Sequence, residues 1–463
     1  MYITVDAITR DTSKATEKSN PLESVSRSLR RRNTAVSAFL KETPKLWARF
    51  RGKGRDVPSF AESSRNTTRN NVLNAFLIFI PFAWVSHYHW HNDNITFTLS
   101  FLGIVALESL LEFGGEQMNY FVGRELGGLI IITMDNAVEA ALALILLKNC
   151  ELRILQSTIV GVILLHLLLL PGTAFLTEGS RVLEQNLHPH STQLNASLLT
   201  IGVMTILIPT AFFAALDNGP TEDTLVSDAT RLTFLKMSHG LAIILLLVYI
   251  TSRIFLHNPP GKRDGSTPAT GAPPEILIEE ARLLNDRPKA SSGFCILLLI
   301  ITIALLGITA EMLVKSIEHV REDGNIQEEW FGLILLPFVS FSADGVVAIL
   351  YFIRATPEQP ETLAKSRAID LSVQFTLFWM PFLVLLGWWI RKPLILLFDL
   401  YEVVITLGAI FLVNYVTADS KTNLAEGFIL VALYFMIALC TWFYPGQPTV
   451  AEMLTCGDVV GTL

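Results

Sequence analysis

The chain has 463 residues, 51% hydrophobic and only 17% charged, and carries a formal net charge of −7. With a mean hydropathy of +0.46, this composition excludes a soluble globular enzyme, and the acidic balance gives no support for nucleic-acid binding. Its four cysteines, Cys150, Cys295, Cys440 and Cys456, are scattered without CxxC spacing, so neither a disulfide framework nor a zinc site is expected, and each reads as a small buried apolar residue.

Residues 1–70 are polar, basic and without an apolar core, which predicts a disordered cytosolic tail and no cleavable signal peptide. From residue 72 onward, runs of about twenty apolar residues recur, each long enough to cross ~30 Å of hydrocarbon as a helix. They fall near 72–90, 95–113, 126–147, 154–176, 195–216, 233–255, 293–315, 331–353, 370–390, 393–415 and 425–444. These runs are too long for barrel strands, and in lipid only helices or closed barrels satisfy their backbone groups. The expectation is therefore an all-α membrane protein with about eleven transmembrane helices. The stretch 257–275, rich in Pro, Gly, Ser and Thr, reads as a linker. It leaves six runs before it and five after, which predicts one leading helix plus two five-helix repeats. Two odd-numbered halves in series insert with opposite topology, the inverted repeat of many secondary transporters. The expected organisation is a tail (1–70), the leading helix and first repeat (71–256), a cytosolic linker (257–292), the second repeat (293–445) and a short non-cytosolic tail (446–463).

Lys and Arg near the span ends set orientation. Arg30 to Arg55, Lys262 to Lys289, and Arg354, Lys365 and Arg367 fall on one side, predicted cytosolic; the acidic loops 217–229 and 316–330 fall on the other. Arg391 and Lys392, in a short turn, are an exception to this rule.

Segment 126–147, LGGLIIITMDNAVEAALALILL, carries Asp135 and Glu139 in its middle. A carboxylate near the bilayer centre costs roughly 2.5–3.5 kcal/mol on insertion scales, so two in one span point to protein, water or cation as their surroundings. At a spacing of four residues they are expected on one helical face. The second half carries a counterpart in 331–353, FGLILLPFVSFSADGVVAILYFI, whose acid is Asp344; Pro337 predicts a kink there. The acids near span ends, Glu108, Glu112, Glu116, Glu311, Glu318, Asp399 and Glu402, read mostly as solvated.

The residues then resemble a family, the calcium/proton exchangers of fungal and plant vacuoles within the cation/calcium exchanger superfamily. The likeness is carried by LGGLIIITMDNAVE (126–139), KNCELRILQSTIVGVILLHLLL (148–169), AEMLVKSIE (310–318), MPFLVLLGW (380–388), FDLYE (398–402), LVNYVTADSKTNLAEG (412–427) and WFYP (442–445). It departs where the chemistry is expected. Asp135 stands in place of a glycine, His166 in place of an asparagine, and Ser340-Phe341-Ser342-Ala343-Asp344-Gly345 where the family reads GNAAEH; Ser372 and Gln374 of a GSSIQ block remain, with Asp370 in place of its glycine. The resemblance implies secondary active Ca2+/H+ antiport by alternating access into an acidic vacuole or other endomembrane compartment. The N-terminus is expected in the cytosol and the C-terminus in the lumen. No catalytic site and no cofactor are expected, only transported Ca2+ and protons, with membrane lipid as surroundings.

Calcium takes six to eight oxygens. Glu139 and Asp344 are the expected charged ligands, with Asn136, Asp135, Ser340, Ser372 and Gln374 as further candidates and His166 and Glu311 as possible proton relays. Asp135 could replace lost ligands, tighten cation binding, or hold a proton and abolish exchange. The altered signatures leave two alternatives open: a transport-deficient, regulatory family member, or an exchanger of a different cation.

Overall fold

Among the described residues, eight helices are long and apolar enough to cross a membrane, and two further helices that meet at a 56° bend form a ninth span if counted together. The computed structural model describes residues 50–52, 56–180, 183–187, 189–217, 226–257, 286–342, 345 and 367–456. The chain divides into Met1–Gly54 and Arg55–Leu463, and the second unit holds everything that follows. After the amphipathic helix α1 (Phe60–Asn70) come α2 (Val72–Trp90), α3 (Asp93–Val122), the bent pair α4 (Leu126–Asp135) and α5 (Ala137–Asn149), α6 (Leu152–Thr177), α7 (Gln193–Leu216) and α8 (Asp228–Ile254). The second half contributes α9 (Ser292–Gly324), α10 (Ala368–Trp389), the shorter α11 (Leu400–Val416) and α12 (Leu424–Trp442). A single pair of two-residue strands, β1 (Gln185–Asn186) and β2 (Lys421–Thr422), runs antiparallel.

Several expectations are met in altered form. The run expected at 393–415 becomes helical only from Leu400, after a non-helical approach at 393–399. The run at 331–353 opens with a π turn, Phe331–Leu335, and breaks at Pro337; its remainder beyond Ser342, apart from Gly345, lies outside the described residues. Part of the expected disordered tail is helix α1. Ser59 caps it by accepting from the Glu62 amide. Asn66 Nδ2 donates to the Lys289 carbonyl at 2.8 Å, and the Ser291 amide donates to Ser63 Oγ at 3.1 Å. Its polar composition concealed it because its partner is the end of the linker, more than two hundred residues away.

Helix α6 is the axis of the bundle. Its apolar window is 89% buried, and a helix apolar on every side must be enclosed by others. Glycines set how closely its neighbours approach. A Cβ on Gly161 would stand 2.2 Å from the Leu333 carbonyl oxygen, and one on Gly332 would stand 2.8 Å from Ser157 Cβ, so the two backbones cross nearly in contact. Gly172 and Gly427 make a second such crossing with α12.

Contacts between loops sort into two faces. One face joins Lys148 to Glu311 at 3.4 Å, His319 to Asp93 at 3.6 Å, and the Cys150–Cys456 disulfide. The other joins β1 to β2, and Asp370 to Arg253 at 4.0 Å. Alternate counting of spans places the members of each set on one side of a membrane. The disulfide corrects the expectation of four unpaired cysteines; 306 residues separate its halves, so no local spacing could reveal it.

Replacing Gly161 with valine is expected to destabilise the protein by about 1–3 kcal/mol or more through overpacking, lowering the thermal unfolding midpoint in detergent. Gly240→Ala, which meets nothing within 4 Å, is the control and is expected to leave the midpoint unchanged or raise it.

Candidate functional site

The site begins where a helix stops. Asn136 belongs to neither α4 nor α5; its backbone sits at φ −89°, ψ 6°. Its amide donates to the Ile132 carbonyl at 3.2 Å, and its own carbonyl accepts from Ala140 at 3.0 Å. The break is held by side chains from the other half of the chain. Asn136 Nδ2 donates to Gln374 Oε1 at 2.8 Å, and Gln374 Nε2 donates in turn to Thr133 Oγ1 at 3.0 Å. Asn136 and Gln374 are buried, where such a network is costly unless satisfied and rigid when it is.

One turn on, Glu139 is 2% exposed, and among the described residues neither of its carboxylate oxygens has a hydrogen-bond partner. Its neighbour is His166, 3% exposed, whose Nε2 lies 3.4 Å from Glu139 Oε1. His166 projects from a π turn, Leu165–Leu169, inside α6; such turns are frequent at functional sites because they re-aim side chains within a helix. A matching π turn, Phe375–Trp379, follows Gln374 in α10. Asn136 Oδ1, Ser372 Oγ and Thr376 Oγ1 are also buried without a hydrogen-bond partner. A buried polar atom without a partner costs about 1–3 kcal/mol; Ser372 and Thr376 stand two residues either side of Gln374, which holds Asn136. The start of α5 supplies partial positive charge that favours an anionic Glu139. These atoms are mainly oxygens, the donor type that suits a proton or a hard cation.

The other expected site residues divide. Asp344 lies outside the described residues. Asp135 is the last residue of α4 and only half-buried; the 56° bend puts it on a different helix from Glu139, which corrects the expectation of a shared face. Ser340 is buried and donates its hydroxyl to the Pro337 carbonyl at 2.9 Å across the kink. Gln374 spends its amide holding Asn136 and Thr133, a positioning role. Glu311 is not beside Glu139: it pairs with Lys315 at 3.1 Å and with Lys148 at 3.4 Å. Lys148 is about 13 Å along α5 from Glu139 by helical rise. Asp370 accepts from Asn195 Nδ2 at 3.1 Å at the opposite face. Among the described residues, no group of three or more His, Cys, Asp or Glu side chains could hold a metal ion.

A second polar centre has no counterpart among the sequence expectations. Arg153, 8% exposed, pairs through its guanidinium with Glu329 and, at 2.9 Å, with Asp399. Ser157 donates to Glu329 at 2.5 Å, and the Tyr444 hydroxyl donates to both oxygens of Asp399 at 2.7 and 2.9 Å. Burial, then that hydrogen bond to Asp399, pushes the Tyr444 phenol above its ordinary value, so it stays protonated and donates. Asp399 (0% exposed) and Glu402 (1%) are thus not the solvated end-of-span acids expected. The one signal available was their separate positions at span starts, which carries no pairing information.

The profile of the family described as sodium/calcium exchanger protein matches residues 294–443. A vacuolar calcium ion transporter of Schizosaccharomyces pombe is 34% identical over 82% of this chain and 87% of its own length. One from Cryptococcus neoformans var. grubii is 31% identical over 87% of this chain and 78% of its own. A Ca2+/H+ antiporter of Synechocystis is 29% identical over 82% of this chain and 99% of its own. Among solved structures, native YfkE superposes with a TM-score of 0.60 at 22% identity, covering 79% of this chain and 99% of that one. An H+/Ca2+ exchanger, CAX, superposes with a TM-score of 0.51 at 16% identity, covering 85% and 95%. These two share the fold.

Arg153→Met leaves buried carboxylates without their cation and is expected to cost about 3–5 kcal/mol. The check is a thermal or denaturant unfolding midpoint in detergent, which should fall well below that of the unaltered chain.

Proposed function

Because the chain belongs to the sodium/calcium exchanger family, we propose that it is a secondary active transporter exchanging Ca2+ for protons across an acidic endomembrane. The observation that carries this reading is the Glu139 carboxylate, 2% exposed and without a hydrogen-bond donor among the described residues, at a helix break tied to the opposite half. A carboxylate so placed needs either a proton or a cation. The two compete for the same oxygens, so each is released when the other arrives. Proton excess on the lumenal side displaces the cation there, and alternating access of the site to the two sides couples the flows. Asn136 Oδ1, Ser372 Oγ and Asp344 are proposed to share the cation with Glu139; Gln374 and Thr133 hold Asn136 in place.

The family relatives support an endomembrane location, and the Cys150–Cys456 pair supports an orientation. Disulfides persist in non-reducing compartments, so the face carrying it is assigned to the lumen, in agreement with the acidic loops there. The C-terminus is then lumenal and the N-terminus cytosolic.

A second reading concerns selectivity. His166 places an imidazole nitrogen at Glu139; Mn2+ shares calcium's preference for oxygen donors, but as a transition-metal ion it gains more than Ca2+ from one nitrogen among them.

In proteoliposomes with an acid interior, radioactive Ca2+ uptake is expected to follow the pH gradient, to collapse with an ionophore, and to fall to background in Glu139→Gln. Gradient-dependent uptake that survives Glu139→Gln would overturn the site. In the same vesicles, Mn2+ uptake exceeding Ca2+ uptake in the native chain, and reversing in His166→Asn, is the result expected from the second reading. In sealed vesicles of native orientation, a membrane-impermeant maleimide is expected to label Cys456 after reduction only when it reaches the lumenal side.

A further inference from the structure

Away from the exchange site, α10 ends in an arrangement the transport reading does not use. This helix runs for 22 residues, Ala368–Trp389, about 33 Å, so its two ends lie at the two membrane interfaces. At its lumenal end a groove of about 490 Å3 opens between α8 and α10. It is lined by the apolar Leu235, Ile243 and Leu385 and by Trp388, Trp389, Arg391 and Lys392. Trp388 is half exposed, stacked at 4.4 Å on His239, and Trp389 is 86% exposed. The volume lies in the range of ligand pockets rather than packing defects.

Charge identifies the occupant. Elsewhere on this face the end of α9 and the turn after it carry Glu318, Glu322, Asp323 and Glu328, and Arg391 and Lys392 break the rule that places basic residues on the cytosolic side. Neither side chain has an ion pair or hydrogen bond among the described residues, and no acidic residue lines the groove. The backbone holds Arg391 in place: the Lys392 amide donates to the Gly387 carbonyl at 2.7 Å and the Arg391 amide to the Trp388 carbonyl at 3.3 Å. This is the closing pattern of a helix whose left-handed position glycine usually fills, yet Arg391 occupies it at φ 59°. A flexible cation pair above an apolar groove, flanked by interfacial tryptophans, matches a phosphate headgroup above an acyl chain.

We propose that this groove binds an anionic phospholipid of the surrounding bilayer, its acyl chain against Leu235, Ile243 and Leu385 and its phosphate on Arg391 and Lys392. Bound there, the lipid bridges α8 of the first half to α10 of the second.

The test is native mass spectrometry of the full chain released from detergent, with phosphatidylserine or phosphatidylcholine of identical acyl chains added. The native chain is expected to retain phosphatidylserine at least about tenfold more tightly than phosphatidylcholine. The Arg391→Gln, Lys392→Gln double variant is expected to lose that preference, and Ile243→Trp, which fills the groove and leaves the charges, to lose one bound lipid of either kind. Unfolding midpoints without added lipid report whether each variant is folded, and either variant alone decides the matter if the other is not. The proposal is overturned by equal retention of the two lipids in the native chain, by a preference that persists in the folded variants, or by a lipid-free dimer that Ile243→Trp disrupts, since a second copy would then fill the groove.

Discussion

A carboxylate held inside an apolar bundle, without a hydrogen-bond donor among the described residues, is the constraint on which the rest of this molecule depends. Glu139 is buried to 2% exposure in a medium where an isolated charge is expensive. Three features around it follow. The helix breaks at Asn136, so α5 begins just before the carboxylate and directs its dipole at it. A second titratable group, His166, stands 3.4 Å away. The break is held from across the chain by Gln374, so the site exists only when both halves are assembled.

Assembly in turn depends on α6. Because Gly161 and Gly332 let the halves approach to backbone contact, the site-bearing segments sit against one buried axis. The Arg153, Glu329 and Asp399 network joins the halves toward the face that carries the disulfide, and Asp370, Asn195 and Arg253 join them at the other. The links differ in kind: the first is buried and multiply bonded, the second is looser, with its ion pair at 4.0 Å. A transporter that opens alternately must loosen one set while the other holds, and charge networks are well suited to this, being strong when complete and costly when one partner leaves.

Much of this was legible from residue order. Hydrophobic runs of bilayer length mark helices because in lipid the backbone has no other way to satisfy its hydrogen bonds, and α2, α3, α6 to α10 and α12 lie close to where those runs are. Glu139 stands out along the chain because two acids, Asp135 and Glu139, in one apolar run are improbable without a purpose, and because the family pattern retains the glutamate. Other features differ from their sequence expectation for physical reasons. A spacing of four puts Asp135 and Glu139 on one face only in a continuous helix, and the 56° bend removes that premise. Asp399 and Glu402 look solvated along the chain because burial at a span's start depends on which other segment covers it. Helix α1 looks disordered because its stabilising contacts come from Lys289 and Ser291.

Residue order alone gives the membrane class and the approximate positions of most spans, consequences of local hydropathy, and marks Glu139 as a candidate because a charge in lipid is costly. It takes the folded arrangement to show which oxygens lack partners among the described residues, that His166 is the neighbour of Glu139, that Gln374 positions Asn136, that Arg153 pairs with acids from the other half, and that Cys150 meets Cys456. Each of these joins residues from separate spans. The sign and spacing of side chains are written along the chain, whereas their pairing is set by how the helices cross, and those crossings are governed by a few glycines and breaks whose partners lie elsewhere in the sequence.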